Sequence, residues 1–367
     1  MSEIKVNSIK GVGASAAAIT VNNTDGTCTA NITNKPNRNL IINGAMQVAQ
    51  RGTSASATGG YKTIDRYETA SGGADEVPTQ AQVDVASGTT PYTSGFRKAL
   101  KVTNGNQTSG VGAGDNIIAL RYKAEAQDIA NSGWNYVSSS SNVTLQFWIK
   151  SSVAQSFQGV LVTSDGTSQI YPFETGSLSA NTWTKITKTI PGNSNLTFNN
   201  DNGQGLRLEI IGYSGSSYAN DSATINAWQA YASGIQFGRA STSTWFTTND
   251  ATFEITGLQL EVGSVATDFE HRSFGQELAL CQRYYYKETA TYYPATGYGT
   301  NPGTNCLGVL GQFCTMRSSV TVTLGTASYW GSGPTVGSQT SSYSYVYGTT
   351  TSSNGPRIAG YELSAEL

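Results

Sequence analysis

From Val143 to Lys150 apolar and polar side chains alternate without a break, with Val143, Leu145, Phe147 and Ile149 on one parity and Thr144, Gln146, Trp148 and Lys150 on the other. Successive side chains of a strand point to opposite faces, so the pattern predicts an extended segment with one face in a core. Leu206, Leu208 and Ile210 repeat it. From Phe253 and Ile255 the apolar phase slips by one residue, to Leu258, Leu260 and Val262, across Gly257, as a β-bulge produces. Turn signals separate these runs: Asn104-Gly105, Asp165-Gly166, Pro191-Gly192 and Asn202-Gly203. Composition points the same way. Charged residues make up 13% of the chain and glycine reaches 41 of 367 positions, against about 25% charged in ordinary soluble domains. The chain reads as mainly β, rich in turns, and long enough for about two or three domains with cores of their own.

One stretch departs from period two. Phe274, Leu278, Cys281 and Tyr285 fall at spacings of four, three and four, which predicts a helix over Ser273–Lys287 with an apolar seam. So short a helix is marginal alone. The seam therefore implies either a homotrimer packed about a shared axis, as in a fibre or spike, or an amphipathic helix lying on its own sheet.

The run from Gly263 to Tyr285 resembles a segment of the tail-fibre and receptor-binding proteins of tailed bacteriophages, notably cyanophages and other marine phages. The matching residues are Gly263, Ser264, Ala266, Thr267, Phe269, Glu270, Arg272, Ser273, Gly275 and Glu277 through Tyr285. A second run, Asn39 to Ser54 followed by Tyr61 to Tyr67, resembles the opening of the same proteins' β-sandwich, with Tyr67 where Trp is usual. Tyr361 to Leu367 is similar to their closing strand. The order Val143–Ser152, Asn181–Gly192 and Gly203–Gly212 also resembles jelly-roll carbohydrate-binding modules. The resemblance implies a virion protein, assembled in the host cytoplasm, that binds a host surface.

Four regions are expected: an attachment segment at 1–36, a jelly-roll β-sandwich at 37–270, an axial helix at 271–287 and a small C-terminal β tip at 288–367. In the first, Ile4, Val6, Ile19, Val21 and Ile32 alternate weakly about an Asp25-Gly26 turn. That is too little apolar area for an independent core, so the segment is either a docking element for a phage tail or baseplate protein or a frayed end. In the tip, alternation recurs at Val320, Val322 and Leu324 and again at Tyr361, Leu363 and Ala365. No fixed-period repeat appears, which disfavours a parallel β-helix.

A net charge of -2 and the absence of any Lys/Arg block give no footprint for nucleic acid or an anionic membrane. No apolar run approaches the ~18 residues of a membrane span, and the first residues do not form a secretory signal. Cys28, Cys281, Cys306 and Cys314 are too scattered for a disulfide framework or a zinc site. They read as buried or half-buried thiols, although Cys306 and Cys314 could meet across a hairpin.

Catalysis finds little to build on. The single histidine, His271, sits between Glu270 and Arg272 at the sandwich-to-helix junction and reads as structural. No nucleophile elbow, zinc-protease or phosphate-loop motif occurs. Carboxylates such as Asp65 with Glu68, or Asp268 with Glu270, would have to flank a cleft to hydrolyse a glycoside. The expectation is no enzyme and no cofactor; a structural calcium held by Asp65, Glu68 or Glu261 is an alternative that jelly-roll modules suggest.

Aromatics say more. Tyr343, Tyr345 and Tyr347 stand at period two, so one strand face shows three phenols in a row. Phenols offer flat faces for sugar C–H groups and hydroxyls for hydrogen bonds. Tyr329 and Trp330, with Tyr292, Tyr293 and Tyr298, enrich the same region. The row is either a glycan-binding surface or a ladder buried between copies of the chain. The function expected is a trimeric tail fibre or spike that recognises a host cell-surface glycan. The alternatives are a capsid head fibre or decoration protein, a polysaccharide depolymerase, and a host carbohydrate-binding module, the last disfavoured by the missing export signal.

Overall fold

The computed structural model describes residues 6–12, 18–21, 24, 28–30, 36–57, 59–107, 114–292, 303, 305–311, 314–351 and 356–367. Its largest part is a sandwich of two six-stranded sheets whose described pairings are antiparallel. One sheet runs Gln229–Ala230, Gln169–Ser177, Ser156–Thr163, Gln204–Ser214, Ile117–Glu125, Tyr67–Gly72; the other runs Thr184–Pro191, Asn142–Ser151, Thr252–Val262, Lys98–Thr103, Thr79–Asp84, Ser54–Ser56. Val143, Leu145, Phe147 and Ile149 are all 0% exposed between the sheets. They pack with Phe157, Phe173, Trp245 and Phe253 into one core. Burying each such side chain stabilises the fold by about 1.5–3 kcal/mol.

One local feature follows from the pattern and one does not. The ladder of Thr252–Val262 shifts register between Thr256 and Gln259. Gly257 sits there at φ +67, and a Cβ on it would lie 2.7 Å from the Phe96 ring, so the bulge and the close approach both need glycine. Thr144 and Gln146, of the outward parity, are nevertheless buried. The segment after Val262 folds back over them: Thr144 Oγ1 donates to the Gly263 carbonyl at 2.8 Å and Gln146 Nε2 to the Thr267 carbonyl at 2.6 Å.

The helix is shorter than its periodicity predicts, covering Phe274–Gln282. Ser273 and Gln276 form a capping box at its start. Tyr284, Tyr285 and Tyr286 then favour extended backbone, and Tyr285–Tyr292 is a strand registered on Arg357–Ser364, with Tyr286 opposite Leu363. The expected seam is therefore split. Cys281 is 0% exposed and Tyr285 2%, both packed inside their own chain, while Phe274 is 56% exposed and Leu278 half-buried. The helix instead turns Glu277 inward, where its carboxylate accepts the backbone N–H of Asn43.

The tip is a second, smaller two-sheet unit. Tyr285–Tyr292, Arg357–Ser364 and Thr321–Leu324 form one sheet, with Ala327–Ser328 also paired to Arg357–Ser364; Asn305–Leu310, Ser344–Thr349 and Thr335–Gln339 form the other. Tyr286, Leu310, Met316, Val346, Ile358 and Leu363 lie in its core.

Sandwich and tip meet at a buried polar seam. The Arg66 side chain, 0% exposed, pairs with Glu366 at 2.5 Å and lies over the Tyr284 ring at 3.4 Å. Arg51 pairs with Glu366 at 3.1 Å and lies 3.5 Å over Tyr285. Gln50 donates to the Tyr285 carbonyl at 2.8 Å. The stretches at Asn39–Tyr67, Gly263–Tyr285 and Tyr361–Leu367 thus converge on one place.

Ser8–Ile9, Ile19–Val21 and Cys28–Ala30 form a small antiparallel sheet that pairs with no other described strand. Val6, Ile9 and Val12 are exposed on it or beside it. Ile4, Ile32 and the Asp25-Gly26 turn lie outside the described residues. No helix among the described residues is long and apolar enough to cross a membrane.

Candidate glycan-binding face

In the strand Ser344–Thr349, Ser344 and Val346 point into the tip core at 0% exposure, which forces Tyr345 and Tyr347 to the opposite face. Tyr343, one residue before the strand, is 47% exposed and Tyr347 45%. The rings of Tyr345 and Tyr347 stand 6.1 Å apart with a 42° tilt. Tyr345 lies flat over Gly337 of the neighbouring strand, where a Cβ would come within 2.1 Å of the ring. Any larger residue there would lift the tyrosine off the sheet.

The other neighbouring strand supplies aliphatic partners that the tyrosine spacing alone does not reveal. Tyr347 registers on Leu307 and Tyr345 on Val309, and these side chains are 52% and 59% exposed. Cys306, Gly308 and Leu310 take the inward parity of the same strand. A groove of about 400 Å³ runs beside Tyr347, with Asn305, Leu307, Ser332, Thr335 and Thr349 along it. Ser332 and Thr349 hold each other there, the Ser332 N–H donating to Thr349 Oγ1 at 2.9 Å. Among the described residues no Asp, Glu, Lys or Arg lines the groove. Burial pushes the Cys306 thiol up, so it stays uncharged beneath it. The surface offers flat rings, aliphatic area, amide and hydroxyls, the chemistry that suits an uncharged polyol with apolar C–H faces.

Tyr329 and Trp330 do not join the row. Tyr329, 41% exposed at φ +64, lies under the Arg357 guanidinium at 5.2 Å. Trp330 packs against the tip core and donates Nε1–H to the Arg357 carbonyl at 3.1 Å. Both brace the end of the Ser344–Thr349 strand. Tyr293 and Tyr298 lie outside the described residues, as does the side chain of Tyr292.

The carboxylates named for calcium or glycoside hydrolysis are engaged separately. Asp65 accepts the Gln50 N–H at 3.0 Å, Glu68 pairs with Arg121 at 2.9 Å, and Glu261 accepts the Thr267 N–H at 2.8 Å. Glu270 accepts the Asn39 N–H at 2.7 Å. Among the described residues no group of three or more His, Cys, Asp or Glu is placed to hold a metal ion. His271 Nε2 lies 3.0 Å from the Ser94 carbonyl, with its ring against Phe96 and Phe269. Cys281, Cys306 and Cys314 carry thiols, so no bridge joins the last two; the Cys28 side chain lies outside the described residues.

No family model matches the chain, and no curated protein matches it. Among solved structures it is similar to the enzymatically active domain of bacteriophage CBA120 tailspike protein 4, at 8% identity and TM-score 0.32 over 63% of this chain. The chain spans about a quarter of that domain's length, 24%. It is also similar to the family 11 carbohydrate-binding module of Clostridium thermocellum in complex with a mixed-linked tetrasaccharide, at 12% identity and TM-score 0.25, over 60% of this chain and 97% of that one. The N-terminal cellulose-binding domain of Cellulomonas fimi β-1,4-glucanase C gives 8% identity and TM-score 0.28 over 60% and 99%. Scores of this size are too low to carry an assignment.

Proposed function

We propose that the protein is a fibre or spike component of a tailed-phage virion that recognises a host surface by binding a neutral glycan, and that it is not an enzyme. The observation that carries this reading is the charge-free face of Tyr343, Tyr345 and Tyr347 beside a hydroxyl-lined groove. Stacking and hydroxyl contacts supply recognition there, so binding depends weakly on salt. Linked copies raise apparent affinity by ~10²–10⁴ without new contacts. Self-association is supported by the helix, which exposes apolar area at Phe274 and Leu280, 56% and 37% exposed. A homotrimer built on this face uses Phe274 but not Cys281 or Tyr285. The exposed Val6, Ile9 and Val12 of the N-terminal sheet support docking on a phage tail or baseplate protein.

One observation favours a second reading. Leu307 and Val309 are large exposed aliphatics beside the tyrosines, as an interface between copies would use. Tyr345→Ala and Leu307→Ser separate the two. The glycan reading expects Tyr345→Ala to reduce adsorption to host cells more than tenfold at unchanged mass by light scattering. Undiminished adsorption sinks it, and dissociation to a smaller species in both variants establishes the interface instead.

A further inference from the structure

A second cleft, of about 460 Å³, lies on the outer face of the sandwich, between the loop at residues 93–96, the sheet face at Gln146 and Trp148, and the segment at 268–271. Its size is that of a small-molecule site. Trp148, half-buried, gives it a flat indole wall. Beside it, Phe96, Phe269 and His271 form a cluster with ring centroids 4.8–5.1 Å apart. This wall is rigid, because Phe96 is wedged against Gly257 of the bulge.

The polar groups of the cleft are few and of both signs. Lys185 stands opposite Trp148 on the adjacent strand, and Asp268 also lines the cleft. Neither side chain forms an ion pair among the described residues. Gln146 forms the floor at 2% exposure; its Nε2 is held by Thr267, and its Oε1 meets no donor among the described residues. A buried acceptor without a donor is unfavourable. A charged ligand would be opposed by either Lys185 or Asp268. A polyol satisfies both, since its hydroxyls donate to the carboxylate and accept from the ammonium while its C–H face lies on the indole.

We infer that this cleft is a binding site for one ring of a neutral saccharide, separate from the tyrosine face and independent of it. The test uses the full chain and a panel of methyl glycosides of glucose, galactose, mannose and N-acetylglucosamine, with glucuronate and galacturonate as charged counterparts. Binding is read by saturation-transfer NMR and by tryptophan fluorescence. At least one neutral glycoside should bind. Trp148→Ala should weaken it more than tenfold and Lys185→Gln about three- to tenfold, while Tyr345→Ala leaves it unchanged. Lys185 is exposed, so its variant keeps the fold and the test survives a destabilised Trp148→Ala. Binding of no glycoside overturns the inference, as does equal binding by Lys185→Gln and the parent. Preference for the uronates overturns the neutral class. Loss of adsorption in Tyr345→Ala with cleft binding intact bears on the tip alone.

Discussion

The strand Asn142–Ser151 in the sandwich and the strand Ser344–Thr349 in the tip each bury one parity of side chains, yet their outer faces are treated differently. Over the first, residues 263–268 fold back and hydrogen-bond Thr144 and Gln146. Over the second nothing described folds back, and Tyr345 and Tyr347 stand beside Leu307 and Val309. Among the described residues the sandwich core joins dozens of buried side chains, whereas the tip core rests on a handful around Val346, Ile358 and Leu363. A region that buries so little apolar area relies on its neighbour for stability. The neighbour is reached through Arg66, Arg51 and Glu366.

Three measurements press on this contrast. The largest effect belongs to the frame: Phe147→Ala should destabilise the sandwich by about 3–5 kcal/mol, read by denaturant unfolding. The tip should unfold with it in a single transition, because the seam couples them. Separate transitions in the parent protein would show that the seam holds nothing together.

The next effect is a pH dependence at the seam. Burial raises the Asp65 carboxyl from 3.8 to about 6, against the opposing hydrogen bonds from Gln50 and the charge of Arg51. A carboxyl raised on folding contributes stability that is fully present below about 3.8 and lost as pH rises through about 6. Between pH 4 and pH 7 the parent should therefore lose on the order of 2–3 kcal/mol relative to Asp65→Asn. Parallel pH profiles for the two proteins would refute the assignment.

The smallest effect tests the coupling itself. Glu366→Gln keeps an acceptor for Arg66 and Arg51 but removes the charge, and should lower stability by about 1–2 kcal/mol. The tip should respond first, with hydrogen exchange accelerating in Arg357–Ser364 before Asn142–Ser151. Equal acceleration in both strands would mean that the loss is not local to the tip.

Periodicity carried most of the sandwich. Alternation at Val143–Lys150 and the slip across Gly257 correspond to a core strand and a bulge, because side-chain parity is a backbone property that tertiary context does not alter. The helix end at Gln282 was not legible. The stripe Phe274, Leu278, Cys281, Tyr285 fits a helix, but pairing of Tyr285 and Tyr286 with a strand some eighty residues away overrides it. The tyrosine row was readable by parity, while the grouping of Tyr329 and Trp330 with it came from proximity in sequence, which says nothing about faces. The cleft at Trp148 could not be anticipated, since its walls come from residues far apart in the chain.

The ion pair of Arg66 with Glu366 joins residues 300 positions apart. Closing a loop grows more unfavourable with its length, by about 0.6 kcal/mol per doubling, and chains dominated by such distant contacts fold slowly. During synthesis the first strands of the sandwich leave the ribosome long before Glu366 exists to neutralise the guanidinium that will be buried beneath Tyr284. Until then Arg66, Arg51 and the rings above them have no closed site to occupy, and the edge of the sandwich stays open to other chains. The order of folding is thereby set: the tip must be made before the seam can shut.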